Sequence, residues 1–521
     1  MSPRTILIAG TLALLCASTT AATLRVANAG DALSMDPHAL LEGVQLSLNS
    51  NIYEPLVDWD KQMKLAPVLA TGWRRTAPTV WRFDLRRGVR FHDGTPFTAD
   101  DVVFSFERAN TKGSDLRNES IKEVRRIDDA TVEIVTREPF PILPEAITIV
   151  YMMSRKWCVE NKAEMPADAR KGLENSASFR ANGTGPFRLR ERQASLRTVL
   201  ARNTHYWQKL ESNLDEVVFT PIANDATRVS ALLSGDIDLM EPAPLRDVDR
   251  IRSSGKFTVL QGPDLRIIFL GMDQQRDELL YSNVKGANPL KDRRVRQAIY
   301  QAIDIETIRS RVMRNAAVPT GLMIAPGIRG FQADMNVRLP YDPVAARKLL
   351  AEAGYPNGFE LGMNCPNDRY VNDAAICQAV SAQLARAGIT VELRIESKSL
   401  YFPRLRRRDT SFYLTGWTSI TQDAHFTLAG VMATPDGGFY GVANGGYSNP
   451  KFDELAHKIE SEIDHVRREA MIREAFKIHQ DDIGHIPLHQ QTLAWAFSNR
   501  VTLVQLPSNR MPFKWVSLVS R

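Results

Sequence analysis

Residues 81–102, WRFDLRRGVRFHDGTPFTADDV, carry the strongest fold signal in this 521-residue chain. Residues 81–85 alternate apolar and charged side chains, which is typical of a half-buried β-strand. Gly88 and Gly94 mark the turns that follow. Thr98 then precedes two acidic residues and an apolar run at helical spacing, which predicts a helix N-terminus. The segment therefore predicts a strand, turns and a helix in close succession.

The second half of the chain alternates predicted helices and strands. Asp342 and Pro343 are typical of a helix N-terminus, and Gly354 follows the apolar run that they introduce. Predicted strands cover residues 359–363, 391–395 and 412–417, and predicted helices cover residues 373–387 and 400–407. A further short strand is predicted at residues 24–27, near the N-terminus. Strands that alternate with helices pack as layers, so the sequence predicts an α/β fold.

The N-terminus has the pattern of an export signal. One basic residue, Arg4, precedes the apolar run 5–16, which is too short to span a bilayer. Small residues follow, so residues 1–22 are predicted to be a signal peptide that is cleaved near Ala21 or Ala22. The leucines before Cys16 disfavour a lipid anchor, because a lipid-modified cysteine requires small residues there.

Length and charge limit the class of protein. About 500 residues after export exceed what one hydrophobic core supports, so two or three domains are expected. The net charge of +6 combines 66 basic with 60 acidic residues, which are interleaved along the chain. Such interleaving favours a solvated surface, and nucleic acid is not expected as a partner.

Three cysteines remain in the predicted mature chain. Cys365 and Cys377 are close enough in sequence to form a disulfide in an oxidising compartment, which would leave Cys158 free. The alternative that all three are buried thiols stays open at this point.

Motifs of enzymatic chemistry are not found in the sequence. It contains no Gly-x-Ser-x-Gly elbow, no His-Glu-x-x-His zinc helix and no lysine-bearing phosphate loop. The stretch Gly183-Thr184-Gly185 is followed by Pro186, which favours a turn over a phosphate cradle. His485 and His489 are separated by Pro487, which indicates a strand or turn and disfavours a metal site there. No enzymatic activity, no metal and no cofactor are expected.

Several sequence blocks in this order are similar to the peptide/nickel class of bacterial extracellular solute-binding proteins, family 5, which serve ABC importers. The resemblance covers about residues 24–500 and rests on residues 81–102 together with the following blocks: Leu65-Ala66-Pro67, Gly72-Trp73, Gly183-Thr184-Gly185-Pro186-Phe187, Asn203, Tyr206-Trp207, Gly235-Asp236-Ile237-Asp238, RVRQAI at 294–299, and Ile303-Asp304. Most of these residues are expected to be scaffold, with glycines at turns and aromatic residues in packing.

The resemblance implies a periplasmic-binding-protein-like fold of type II. Two hinge-linked lobes enclose the ligand cleft, and one lobe carries an extra inserted subdomain. The expected boundaries are residues 23–57, 203–261 and 484–521 for lobe I, residues 58–202 for the inserted subdomain, and residues 262–483 for lobe II.

The resemblance also implies a function. A periplasmic protein of this class captures a solute, closes around it and delivers it to the permease of an ABC transporter without making or breaking a bond. A small peptide or peptide-like solute is the expected ligand, and an opine, a glutathione-like compound or a metal chelate is the alternative. A monomer is expected.

Arg369 is the first candidate for ligand binding. It lies in a loop between a predicted strand and a predicted helix, and loops of this kind line clefts. In dipeptide-binding relatives an arginine of this loop binds the ligand carboxylate, to which a guanidinium donates two parallel hydrogen bonds. A surface arginine paired with Asp368 or Asp373 is the open alternative.

Residues 415–420 form the second candidate segment. Peptide-binding relatives have an aspartate three residues after the tryptophan that corresponds to Trp417, and it neutralises the ligand amine. This chain has Ile420 there. Asp423 is the candidate replacement if the loop is rearranged. Trp417 itself is expected either to form a wall of the pocket or to belong to the core.

Further candidates come from two other loops. The loop 40–45 corresponds to a stretch that contacts ligand in relatives, so Glu42 and Gly43 are candidates, with Glu42 facing a cationic group. Asn444 and Tyr447 lie in a glycine-rich turn and are candidates for the cleft, although a turn before a helix explains them as well.

Overall fold

The computed structural model describes residues 21–168, 171–435 and 443–519, so the predicted signal peptide lies almost wholly outside the described residues. The strands are β1 (Thr23–Asn28), β2 (Val57–Trp59), β3 (Leu65–Pro67), β4 (Ala70–Ala77), β5 (Val80–Leu85), β6 (Ile121–Asp128), β7 (Thr131–Thr136), β8 (Phe187–Gln193), β9 (Arg197–Arg202), β10 (Glu216–Pro221), β11 (Leu239–Glu241), β12 (Phe257–Met272), β13 (Ala317–Pro319), β14 (Phe359–Pro366), β15 (Ile389–Glu396), β16 (Phe412–Thr418), β17 (Ile486–Ser498), β18 (Val501–Thr502) and β19 (Ser517–Leu518).

The helices are α1 (Gly43–Asn49), α2 (Ala99–Ala109), α3 (Leu143–Ala146), α4 (Arg155–Glu160), α5 (Asp225–Ser234), α6 (Val248–Ser253), α7 (Arg293–Gln301), α8 (Ile305–Thr307), α9 (Pro343–Glu352), α10 (Asp373–Arg386), α11 (Lys398–Arg406), α12 (Ala424–Thr427), α13 (Pro450–Ser461) and α14 (His465–Asp482). In the described part of the chain, none of them has both the length and the apolar character that a membrane crossing requires.

A mixed sheet of 11 strands runs through the whole molecule in the order β15-β14-β16-β12-β17-β11-β1-β10-β9-β8, with β13 attached to β17. A separate antiparallel sheet has the order β4-β5-β7-β6. Parallel pairs such as β1 with β10 and β14 with β15 alternate in sequence with helices, as an α/β fold requires. The predicted α/β class is confirmed.

The predicted elements form for local reasons. The backbone N–H of Thr98 donates to Asp101 Oδ2 at 2.9 Å, which caps α2 at the predicted residue. Asp342 Oδ1 accepts from the N–H groups of Val344 and Ala345, and this caps α9. Each strand and helix predicted in the second half is present, with ends that differ by no more than three residues.

Gly183 and Gly185 form a close backbone contact instead of a phosphate cradle. A Cβ on Gly183 would lie 2.0 Å from the carbonyl oxygen of Ile52, and one on Gly185 would lie 2.6 Å from it. The N–H of Gly185 donates to that oxygen at 2.9 Å. Only glycine fits at such a distance, so these residues join two segments of the scaffold.

The strands β12 and β17 connect the two halves of the large sheet. They pair in two stretches, and the register shifts between Pro263 and Ile267. Gln490 Nε2 donates to the backbone oxygen of Asp264 in this irregular region, at 2.7 Å. A bulge of this kind bends a strand and redirects its side chains, so residues 264–266 leave the ladder with β17, while Arg266 still pairs with Thr418 on β16.

Two of the expected domain boundaries fall within the continuous large sheet. Residue 262 falls within β12, and β8 and β9, which end the expected inserted subdomain 58–202, pair with each other and with β10 in the large sheet. The four-stranded sheet has its own core around Phe83, Val102 and Ile134. By hydrogen bonding, the part of the chain that is separate from the large sheet therefore ends before residue 187.

The sulfurs of Cys365 on β14 and Cys377 on α10 are bonded to each other, and Cys158 is a free, buried thiol. A bond between residues 12 apart restricts the unfolded chain, and it is expected to raise the free energy of unfolding by about 3 kcal/mol. Urea unfolding of the mature protein with and without reductant measures this difference. Three reactive thiols in the unfolded, unreduced mature protein would contradict it.

Candidate functional site

A cavity of about 540 Å³ lies between the two sides of the molecule. One side is formed by residues from the segments 33–63, 115–167, 172–178 and 508–510, and the other by residues from 265–266 and 369–426 together with Ala443. Apolar side chains form much of its wall, including Leu40, Leu41, Trp59, Phe402, Trp417 and Phe426. A volume in the range of roughly 300–1,000 Å³ is typical of small-molecule sites.

The two sides also contact each other outside the cavity. Arg329 Nη2 donates to Glu145 Oε1 at 3.0 Å, and Phe140 packs edge-on against His425 with ring centroids 6.5 Å apart. Ser120 Oγ donates to Glu460. These contacts join the segment before residue 187 to the opposite half, and the cavity is thereby enclosed from both sides.

Arg369 lies where the sequence predicts, in the loop after β14. Asp373 Oδ2 accepts from the backbone N–H groups of Arg369 and Tyr370, both at 3.0 Å, so the carboxylate orders the loop and does not pair with the guanidinium. The Arg369 side chain is 19% exposed and lines the cavity. Its Nη2 lies 4.0 Å from Glu42 Oε1 on the other side.

Arg266 is a second cavity arginine, which the sequence analysis missed. The bulge in β12 directs it into the cavity, and the residue is only 8% exposed. Its Nε donates to Asp264 Oδ2 at 3.3 Å, and its guanidinium lies 5.7 Å from the ring centre of Tyr370. The pair Pro263-Asp264 within a long apolar strand is the only sequence signal that marks this position.

Glu42 and Gly43 face these arginines at the start of α1. Glu42 Oε2 accepts from the N–H of Gln45 at 3.0 Å and caps the helix, while Oε1 is buried and has no hydrogen-bond partner among the described residues. A Cβ on Gly43 would lie 3.8 Å from Arg369 Nη2 and 4.0 Å from Arg266 Nη2. The two guanidinium groups therefore meet at Gly43.

Trp417 and Ile420 both line the cavity. The indole of Trp417 stacks on Phe426 with ring centroids 5.3 Å apart, so Trp417 forms a wall that is also anchored to the core. Ile420 places an apolar side chain at the position for which the resemblance implies an acid. The cavity has no carboxylate at this position.

Asp423 does not replace the missing acid, contrary to the sequence-based hypothesis. The residue has no exposed surface, and its two carboxylate oxygens accept from Arg468 at 2.7 and 2.8 Å. Oδ1 also accepts from the N–H of His425 at 2.9 Å and caps α12. The carboxylate is thus engaged in a buried ion pair that stabilises the fold.

Asn444 and Tyr447 are scaffold residues as well, and neither lines the cavity. Asn444 is fully buried, and its Nδ2 donates to the backbone oxygens of Val431 and Ala433. Tyr447 is 3% exposed, and its hydroxyl donates to Asp482 Oδ2 at 2.8 Å. The interpretation as a turn before a helix describes these two residues, and the hypothesis that they reach the cleft is corrected.

His485 and His489, the pair considered for a metal site, lie in the core. His485 Nδ1 and His479 Nε2 are 2.9 Å apart, and burial lowers the pKa of His485 to about 4. Burial likewise lowers the pKa of His489, to about 3. Within the described ranges, the structure brings together no group of three or more His, Cys, Asp or Glu side chains that is suited to a metal ion.

A smaller cavity of about 50 Å³ shares Gly43, Arg266 and Arg369 with the large one. Its other polar side chains are Asn28, Ser47, Glu241, Ser508 and Asn509. Burial raises the pKa of Glu241 to about 7. The sequence analysis did not identify this carboxylate, because it follows a short strand with no recognisable motif.

Known proteins are similar to this chain in sequence and in structure over most of its length. The glutathione-binding protein GsiB of Shigella flexneri is 24% identical over 484 residues, which cover 90% of this chain and 89% of that protein. The periplasmic binding protein DppA of Helicobacter pylori, in complex with the peptide STSA, superposes with a TM-score of 0.83 at 24% identity and covers 96% of this chain and 98% of that one. AgaA of A. tumefaciens R10, in complex with agropinic acid, has a TM-score of 0.83 at 21% identity and covers 96% and 99%.

The expected two-lobed fold is therefore confirmed by the solved structures, which share it over nearly their full length. The sequence model of the bacterial extracellular solute-binding proteins, family 5 (middle region), matches residues 64–439. This match includes the four-stranded sheet, Arg266, Arg369 and Trp417. The chain belongs to the bacterial extracellular solute-binding proteins, family 5, the periplasmic receptors of ABC importers.

Proposed function

We propose that this receptor captures a short peptide or peptide-like solute that carries a carboxylate and delivers it to the permease of its ABC importer. The pair of arginines at Gly43 carries the proposal. The Nη groups of Arg266 and Arg369 have no hydrogen-bond partner among the described residues, and they face a cavity of small-molecule size. Two guanidinium forks in a largely apolar enclosure favour a carboxylate, because charge-assisted hydrogen bonds gain strength away from water.

The other cavity residues support a ligand with apolar parts. Trp417 and Phe426 present stacked aromatic surface, and Ile420 extends it. Glu42 adds an acceptor, since its buried Oε1 accepts no hydrogen bond from the described residues. Gly43 allows the ligand to approach the backbone at the start of α1. We assign Arg369, Trp417, Glu42 and Gly43 to ligand contacts and add Arg266 to them.

We further propose a route through the periplasm for this receptor. The signal peptide 1–22 exports the chain to the periplasm, and cleavage near Ala21 or Ala22 releases a monomer. Ligand that contacts both sides of the cleft favours the closed form, since only that form makes both sets of contacts. The permease then binds the closed form, and neither nucleic acid nor a cofactor takes part.

A non-peptide solute is the second candidate, and Ile420 favours it. A peptide with a free α-amine gains from an acid at this position, which the cavity lacks, and Asp423 is bound to Arg468. The names of the related proteins include glutathione and agropinic acid besides a peptide, so an opine, a glutathione-like compound or a metal chelate fits the same fold.

A thermal-shift screen of the mature protein tests the proposed function. The ligands are di- and tripeptides, glutathione, opines and nickel–histidine, each with and without a blocked carboxylate. A true ligand at 100 times its Kd adds about 2.7 kcal/mol to the free energy of unfolding and raises Tm. Amidation of the carboxylate is expected to abolish the shift. Shifts that are equal for acid and amide forms would contradict the role of the two arginines.

A further inference from the structure

The small cavity of about 50 Å³ brings opposite charges into one enclosure. Arg266 and Arg369 line it from one half of the molecule, and Glu241, at the end of β11, lines it from the other. The space is large enough for one small polar head group, since a cavity of about 10–15 Å³ already holds one water molecule. Whatever binds there meets two cations and one anion together.

Glu241 is oriented as a hydrogen-bond acceptor. Asn28 Oδ1 accepts from the N–H of Gly30 at 2.9 Å, and Asn509 Oδ1 accepts from Trp495 Nε1 at 3.1 Å. Both amide oxygens are therefore engaged, and the amide NH₂ groups of Asn28 and Asn509 are left to donate to the carboxylate of Glu241. These two donors favour the ionised form of the carboxyl group, against the burial that raises its pKa to about 7.

The charge of Glu241 has no ion-pair partner in the described part of the chain, although the residue is only 8% exposed. Arg266, whose charge acts on Glu241, directs its Nε to Asp264 and leaves its Nη groups in the cavity. A buried carboxylate without a partner is costly, so a cationic group of the ligand gains from approaching it.

We propose that this small cavity binds the head group of an α-amino acid, with the ammonium at Glu241 and the carboxylate at Arg266 and Arg369. This inference rests on the proposed function and narrows its ligand class. In an ordinary peptide the free amine and the free carboxylate are at opposite ends. They lie on one carbon in a peptide that is linked through a side chain, as in γ-glutamyl compounds.

The rest of the binding site fits such a ligand. The remainder of a side-chain-linked peptide extends from the head group into the large cavity, which is continuous with the small one at Gly43, Arg266 and Arg369. The amine is then already bound at Glu241, so no acid is needed beside Trp417. Ile420 supplies apolar contact there instead, which accounts for the departure from the peptide-binding pattern.

Two isomeric dipeptides test the inference. γ-Glu-Leu and α-Glu-Leu have the same atoms and charges. Only in the γ isomer are the amine and the carboxylate on the glutamate α-carbon both free. Isothermal titration of the mature protein is expected to give at least a tenfold lower Kd for the γ isomer. The variant Glu241→Gln is expected to lose at least tenfold in affinity for the γ isomer and little for the α isomer. Glu216→Gln, on β10 of the same sheet and outside both cavities, is the matched control and is expected to bind both isomers as the parent does.

The outcomes separate the two proposals. An α isomer that binds as tightly as the γ isomer overturns the α-amino-acid head group and leaves the proposed peptide receptor intact. The same conclusion follows if Glu241→Gln retains the parent's discrimination and its Tm. If neither isomer, glutathione nor any other peptide binds, the proposed function fails and this inference fails with it.

The unmodified protein gives a second measurement that does not depend on how the variant folds. Protonation of Glu241 removes the partner of the ammonium, so the preference for the γ isomer is expected to fall about tenfold per pH unit below pH 7, where its raised pKa lies. The charged groups that face Glu241 are Asp264 and Arg266 on β12, Arg369 in the loop after β14, and Arg228 on α5. The α isomer is the reference, because it experiences the titration of Asp264 without using Glu241. A ratio of affinities that stays constant from pH 8 to 5.5 overturns the inference.

Discussion

Replacement of Arg369 with alanine is expected to weaken ligand binding about 100-fold, which corresponds to roughly 3 kcal/mol. The side chain is four-fifths buried, lies at the junction of the two cavities and has no strong ion-pair partner, since Glu42 Oε1 is 4.0 Å away. A carboxylate that loses this fork keeps only Arg266. The Kd of the best ligand from the screen, measured by isothermal titration, gives the effect directly.

Two further variants separate the role of the fork from that of charge. Arg369→Lys keeps the positive charge but loses the bidentate geometry, so an intermediate loss of about tenfold is expected. Arg394→Ala is the matched control, because this arginine lies on β15, pairs with Glu392 and does not line either cavity. Binding by Arg369→Ala at the parent's Kd would show that the ligand carboxylate is held elsewhere.

The sequence predicted the α/β class and the positions of individual elements because those signals are local. Thr98, Asp101 and Asp342 act within one helical turn of their own backbone, and their caps are present in the structure. The position of Arg369 beside the cavity was predicted for a related reason. A loop between a parallel strand and the next helix opens at the carboxyl end of the strand, and this position follows from element order alone.

The rest of the site depends on contacts between residues far apart in sequence. Arg266 enters the cavity because β12 bulges where it passes Gln490 and Gln491, more than 200 residues later. Glu241 becomes a cavity residue only through its neighbours Asn28 and Asn509. No local sequence pattern predicts contacts between residues so far apart, and they cannot be read from a single sequence.

Asp423 illustrates the opposite error, because a nearby acid was assigned to the ligand and belongs to the core. Its position three residues after Ile420 made the replacement plausible, whereas its partner Arg468 lies 45 residues away on α14. Arg468 is 5% exposed and donates its Nε to the backbone oxygen of Ile459. Asp423 therefore forms an ion pair and does not face the cavity because of Arg468, a residue that the sequence around Asp423 does not contain.

Replacement of Asp423 with alanine is accordingly expected to lower the free energy of unfolding by about 3–5 kcal/mol, because it leaves the guanidinium of Arg468 buried without a counter-charge. The cap of α12 is lost as well. Urea unfolding followed by circular dichroism measures the change. Below the unfolding transition, the Kd for ligand is expected to stay within about twofold of the parent's, a difference of less than about 0.5 kcal/mol.

A double variant distinguishes this structural role from a general sensitivity of the region. Asp423→Leu with Arg468→Leu removes both charges together and is expected to recover most of the stability lost in Asp423→Ala, since an apolar pair of similar size can replace a buried ion pair. Asp334→Ala, which breaks the exposed pair with Arg473 on the same half of the molecule, is expected to change stability little. A large loss of affinity in Asp423→Ala at unchanged stability would show instead that this carboxylate binds the ligand. The expected result is a large loss of stability at unchanged affinity, because the Asp423 carboxylate is held by Arg468 and does not line either cavity.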